Sequence, residues 1–142
     1  MPHKTVTIQT KIADSYEVQA QARQFNLIVD QPAPTGKDAA PTPLEYFFIS
    51  LGACFCSIGK IIAEQRKIDL KSINVKIEGD INTDFILGLK TGGRAGFTDI
   101  RVHAEIDAPM SDEEKHEFIN EIERRCPIAD NIINESVVRV VS

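Results

Sequence analysis

The sequence predicts an α+β fold for one domain over residues 1–142. Three observations predict it. Segments with period-two alternation lie near both ends of the chain and in its middle, the pattern of strands with one buried face. A long, nearly all-apolar helix follows the first group of strands. Two shorter helical segments come late, after two further strands. The order is strands, helix, two strands, two helices, strand, which reads as α+β.

Residues 1–30 hold the N-terminal strands. KTVTIQT alternates Val6 and Ile8 with polar residues, and SYEVQAQA alternates Tyr16, Val18 and Ala20. IADS, with Asp14, turns one into the next. QFNLIVD supplies a third strand. Gln31 to Thr42, QPAPTGKDAAPT, has the proline and glycine content of a loop.

A helix is expected over 43–67. Thr42 is its N-cap, Pro43 takes the first helical position, and Glu45 completes a capping box. Tyr46, Phe47, Phe48, Ile49, Leu51, Phe55 and Ile58 make its first four turns apolar nearly all round. A helix of that kind must be surrounded by protein. One sheet covers one side, so a second sheet or a partner subunit must cover the rest.

Residues 72–142 hold the remaining elements. SINVKIEGD is a strand with Ile73, Val75 and Ile77 on one face. Residues 82–96 show no clear period, and TGGRAG within them does not match a phosphate-binding glycine pattern. FTDIRVHAEID alternates Ile100, Val102, Ala104 and Ile106. Ser111 and Glu114 form a second capping box, opening an amphipathic helix with Phe118, Ile119 and Ile122 inward. Cys126 ends it. Pro127 opens a short helix near Ile128 to Ile133, and SVVRVVS closes the chain as a strand.

Composition excludes several function classes. A net charge of -5 and a pI near 5.2 argue against nucleic acid or an anionic membrane as partner. The N-terminus has no long apolar signal region. The uncharged stretch Tyr46 to Gly59 is too short to span a bilayer. Three cysteines, an odd number, suit a reducing compartment, so a cytoplasmic protein is expected.

The thiols carry the chemical signal. Residues two apart on a helix point about 200° from each other. Cys54 and Cys56 in LGACFCS therefore face opposite sides, and neither chelate an ion together nor bond to each other. Cys56 reads as a small core residue. His3, His103 and His116 have no cysteine near them in sequence, so no metal site is expected. Cys126 sits at the start of a short helix, where amides and the helix dipole favour a thiolate. Spacing alone does not bring Cys54 and Cys126 together.

Two motifs resemble a known family. APTPLEYFFISLGAC, Ala40 to Cys54, resembles the helix start and first-cysteine motif of the OsmC/Ohr proteins, osmotically inducible and organic-hydroperoxide-resistance proteins. RRCPIADNI, Arg124 to Ile132, resembles their second-cysteine motif. The resemblance covers the chain from about Gln24 onward. It implies antiparallel sheets wrapped around a long buried central helix in an intertwined homodimer. It also implies reduction of organic hydroperoxides, with an external dithiol as reductant and no cofactor. By position, Cys54 matches the cysteine that attacks the peroxide and Cys126 the one that resolves it as a disulfide. Glu45 matches the active-site glutamate.

Helical geometry constrains that last assignment. Glu45 lies about 13.5 Å along the axis from Cys54 and about 180° round it. It cannot serve its own Cys54, only that of a second copy. The family peroxidases also use an arginine from the N-terminal strands or the segment before the helix. Residues 1–43 contain one arginine, Arg23; Lys11 and Lys37 lack its bidentate fork. The alternative is a non-enzymatic dimer of the same fold that binds a small apolar ligand or acts as a slow redox sensor.

Overall fold

The computed structural model describes residues 2–141. Its contacts gather into two units, residues 1–47 and 48–142.

The first unit is an antiparallel sheet in the order β1 (Gln9–Ile12), β2 (Val18–Ala22), β3 (Phe25–Val29). Its register runs from Gln9↔Gln21 to Ile12↔Val18 and from Val18↔Val29 to Ala22↔Phe25. A two-residue turn joins β2 to β3, and its first residue, Arg23, takes the positive φ of 55° that such turns use. This turn shortens the first strand expected from sequence. β2 ends at Ala22, so residues before Ile8 run past their pairing partner, and Val6 is 76% exposed. Tyr16 also departs from expectation, lying exposed in the β1–β2 connection.

The loop after β3 is built around Asp30, which is 2% exposed. Its Oδ1 accepts the Gln31 N–H at 2.8 Å, and its Oδ2 accepts those of Ala39 at 3.1 Å and Lys37 at 3.3 Å. The Gln31 and Ala39 N–H groups, against the cost of burial, hold the carboxyl below its ordinary range. Gly36 is required here: a Cβ would lie 2.3 Å from the Gln31 carbonyl oxygen.

Helix α1 (Pro43–Arg66) starts in the first unit and continues through the second. Its capping box is formed. The Thr42 N–H donates to Glu45 Oε1 at 2.9 Å, and the Glu45 N–H donates to Thr42 Oγ1 at 3.2 Å. Counted through to Arg66, α1 is long and apolar enough to cross a bilayer, unlike the stretch counted from sequence. Its stripe Leu51, Phe55, Ile62 and Ala63 instead joins the protein core. Ile49 and Ile61 on other faces stay exposed.

In the second unit β4 (Ser72–Asp80) and β5 (Asp99–Asp107) form a regular hairpin, Ser72↔Asp107 to Asp80↔Asp99. Asp80 and Asp99 face each other at its loop end, and Arg101 bridges both carboxylates. Helices α2 (Asp112–Arg125) and α3 (Pro127–Ile133) follow. The core joins the α1 stripe to Ile106, Phe118, Ile122, Cys126 and Ala129. Gly59 permits this closeness, since a Cβ there would lie 2.3 Å from Ile73 Cδ1 and 3.1 Å from Ile122 Cδ1.

The closing strand expected over SVVRVVS does not form across residues 136–141, and Ser142 lies outside the described residues. Its valines meet no neighbouring strand there, and Val140 is 96% exposed. Alternation is the pattern of a strand, but a strand also needs an edge to pair with.

Candidate active site

The two helices of the second-cysteine motif meet at Cys126. Pro127 has no N–H and disfavours helical backbone in the residue before it. Cys126 accordingly adopts φ -82° and ψ 112°, ending α2 and capping α3. Its sulfur accepts the Ala129 N–H at 3.4 Å. Phe118, Ile122 and Ala129 belong to the same core, and Cys126 is 0% exposed.

α1 brings the second sulfur. Cys54 packs against that core from a half-buried position. Cys54 Sγ and Cys126 Sγ lie 2.7 Å apart in a thiol–thiol hydrogen bond. The structure thus joins two residues 72 positions apart in sequence. Cys56 points elsewhere, toward the Ile73 carbonyl of β4 at 3.9 Å, as the helical spacing requires.

The electrostatics hold Cys54 as a thiol. Burial pushes it up, the hydrogen bond and charge of Cys126 push it further, and the Ile128 N–H pulls the other way. The result is about 11, against an ordinary 9.0. The amides that open α3 therefore touch both sulfurs, Ile128 at Cys54 and Ala129 at Cys126.

A cavity of about 310 Å³ is lined by residues of the core that surrounds the pair, though by neither sulfur. Leu51 and Phe55, which flank Cys54 on α1, line it with Ile100, Val102 and Ile132, and Ala129 lies in its wall. A larger hollow of about 480 Å³ is the open face of the β1–β3 sheet, lined by Lys11, Gln19 and Ile28 among others, none of which belongs to the core around the sulfurs. Chemistry, not size, favours the smaller cavity.

Glu45 is exposed in the first turn of α1, its carboxylate on the Thr42 N–H. Tyr46 donates its hydroxyl to the Ile28 carbonyl at 2.8 Å, and Phe47 is 38% exposed, not core. Arg23, the lone arginine before α1, lies over the Phe25 ring at 4.9 Å and beside Gln24 Oε1.

Two groups escaped the sequence reading. Asp30 carried no signal of burial, because a strand-ending Asp is ordinary turn chemistry. Glu121 did carry one. It stands three residues after Phe118 and one before Ile122, on the inward stripe of α2. Both its oxygens are engaged, one by Arg66 and the other by Arg125 at 3.1 Å.

The family model described as OsmC-like protein matches residues 36–141. This chain belongs to that family. It is 26% identical over 137 residues to a Mycoplasma genitalium protein named hydroperoxide reductase, spanning 96% of this chain and 93% of that one. A Mycoplasma pneumoniae protein of the same name is 26% identical over 138 residues, spanning 96% and 93%. The crystal structure of an OsmC-like protein from Mycoplasma pneumoniae superposes with a TM-score of 0.81 at 26% identity, covering 93% of this chain and 89% of that one. The α+β, OsmC-like fold expected from sequence is thus the fold of this protein.

Proposed function

We propose that this protein is a cytoplasmic, homodimeric, thiol-dependent hydroperoxide reductase. The observation that carries the reading is the 2.7 Å approach of a half-buried Cys54 to a fully buried Cys126. The names of its Mycoplasma relatives support it.

The reaction runs in three steps. Cys54 loses its proton, and the thiolate attacks one oxygen of the hydroperoxide. An S–O bond forms, the O–O bond breaks, and the alkoxide leaves and takes up a proton as the alcohol. Cys54 is then a sulfenic acid. The Cys126 sulfur attacks it, forming the S–S bond and expelling hydroxide, which leaves as water with the Cys126 proton. An external dithiol reduces that disulfide and becomes a disulfide itself. The apolar cavity lined by Leu51 and Phe55, close neighbours of Cys54 on α1, suits the alkyl part of an organic hydroperoxide. In the homodimer a second copy covers the exposed faces of α1 and brings its Glu45 to this Cys54.

The test is peroxide consumption by purified protein with cumene hydroperoxide and dithiothreitol. Activity is expected in the wild type and absent in Cys54→Ser. A serine variant with full activity, or a wild type that consumes no hydroperoxide with any dithiol, refutes the reading.

The raised Cys54 thiol and the apolar cavity favour one second reading, a dimer that binds a small apolar ligand. An apolar molecule retained in native mass spectrometry, with no disulfide on peroxide treatment, would select it.

A further inference from the structure

The peroxide reading uses two sulfurs, and what holds them together lies at the far ends of their helices. Gln65 and Arg66 form the last turn of α1. Glu121 and Arg125 occupy the last turns of α2, and Cys126 follows directly. Arg66 pairs with Glu121 Oε1. Arg125 divides its guanidinium, donating to Glu121 Oε2 at 3.1 Å and to Gln65 Oε1 at 3.0 Å. Each contact except Arg125 to Glu121 crosses from α1 to α2. The Glu121 side chain is 12% exposed, while Arg66 and Arg125 are 55% and 37% exposed. Burial raises the Glu121 carboxyl, but Arg125 and Arg66 outweigh it and hold the group ionised below its ordinary range.

A buried carboxylate with two guanidinium partners is weak as a source of stability, because desolvation offsets the attraction. Its value is geometric. Arginine forks fix direction as well as distance. The residue after Arg125 carries the sulfur that must meet Cys54. A sulfenic acid that is not captured meets a second peroxide and becomes a sulfinic acid, which a dithiol does not restore.

We propose that Glu121, through Arg66 and Arg125, is a positioning residue for disulfide formation: it locks the ends of α1 and α2 so that Cys126 captures the Cys54 sulfenic acid before further oxidation. This rests on the reductase reading above. Glu121 touches no substrate and takes no part in the first oxidation.

The experiment is quenched-flow mass spectrometry of wild type and Glu121→Gln after one equivalent of cumene hydroperoxide, with dimedone to trap sulfenic acid. The first oxidation of Cys54 should be unchanged in the variant. Disulfide formation should slow about tenfold, given the cost of small misplacements between reacting groups. Dimedone adduct and Cys54 sulfinic acid should then accumulate. Arg125→Gln removes one tether and keeps Glu121 paired to Arg66; it should slow the same step to a lesser degree, and Arg125→Lys should fall between. If Glu121→Gln does not fold, Arg125→Gln carries the test. A folded variant that forms the disulfide at the wild-type rate without sulfinic acid overturns the proposal. Diamide, which oxidises paired thiols without peroxide, separates the two readings. A wild type that bonds Cys54 to Cys126 with diamide but not with peroxide refutes the reductase reading, and the clamp is then judged on the diamide rates of the same variants.

Discussion

Cys54 should be mostly thiol at neutral pH in the reduced chain, and its partner should be part of the cause. With the thiol pushed to about 11, roughly one molecule in a thousand carries a Cys54 thiolate at pH 8. Alkylation of Cys54 by iodoacetamide, read by peptide mass spectrometry, should therefore rise about tenfold per pH unit between pH 8 and 10. Cys126→Ser removes the neighbouring sulfur and its charge, two of the three influences that raise the thiol, and leaves burial. Cys54 in that variant should be alkylated severalfold faster at pH 8. The same shift couples to stability. Below pH 9 both the folded and unfolded chains hold the proton. Between 9 and 11 the unfolded chain releases it and the folded chain keeps it, so stability falls as pH rises. The loss is on the order of 2 kcal/mol, fully developed near pH 11. An alkylation rate that levels off near pH 7 would refute the account, since it would mean that Cys54 is already a thiolate there.

Other outcomes follow from the same contacts. Ile122, 0% exposed at the meeting of α1, β4 and α2, should cost about 2–5 kcal/mol when changed to alanine, measured by urea unfolding. Asp30→Asn should cost the Gln31, Lys37 and Ala39 amide bonds their charged acceptor and speed hydrogen exchange there at neutral pH. In the wild type that protection is present above the ordinary carboxylate range and lost as pH falls through the depressed Asp30 value, the reverse of the Cys54 trend. Glu45→Ala and Cys54→Ser should each be inactive alone. Mixed and re-equilibrated, they should regain about a quarter of wild-type activity, because half the dimers then hold one intact site of two. No recovery on mixing would exclude a site shared between copies.

Much of this layout is legible in the residues. Thr42, Pro43 and Glu45 announce the start of α1, and Ser111 with Glu114 announces α2, because capping is local chemistry. Pro127 likewise places Cys126 at a helix start. The division of Cys54 from Cys56 needs only the helical period. What escapes is non-local. Val6 and the C-terminal valines alternate like strand residues, yet pairing depends on where a neighbouring strand ends. Asp30 looks like a turn residue, and only the folded loop reveals three N–H groups converging on it. Only family resemblance links Cys54 to Cys126 in the sequence, since no spacing rule reaches across 72 residues.

The junction at Cys126 has a consequence for how its chemistry is dissected. One sulfur is both a redox atom and the first fastening of α3, because it takes the Ala129 N–H. Alanine at this position would remove a thiol and also unfasten a helix, and a loss of activity would have two causes. Serine keeps an oxygen for that amide while abolishing disulfide formation. The Ala129 amide is consequently a gauge: its hydrogen exchange reports whether the helix is still fastened, separately from whether the sulfur can react.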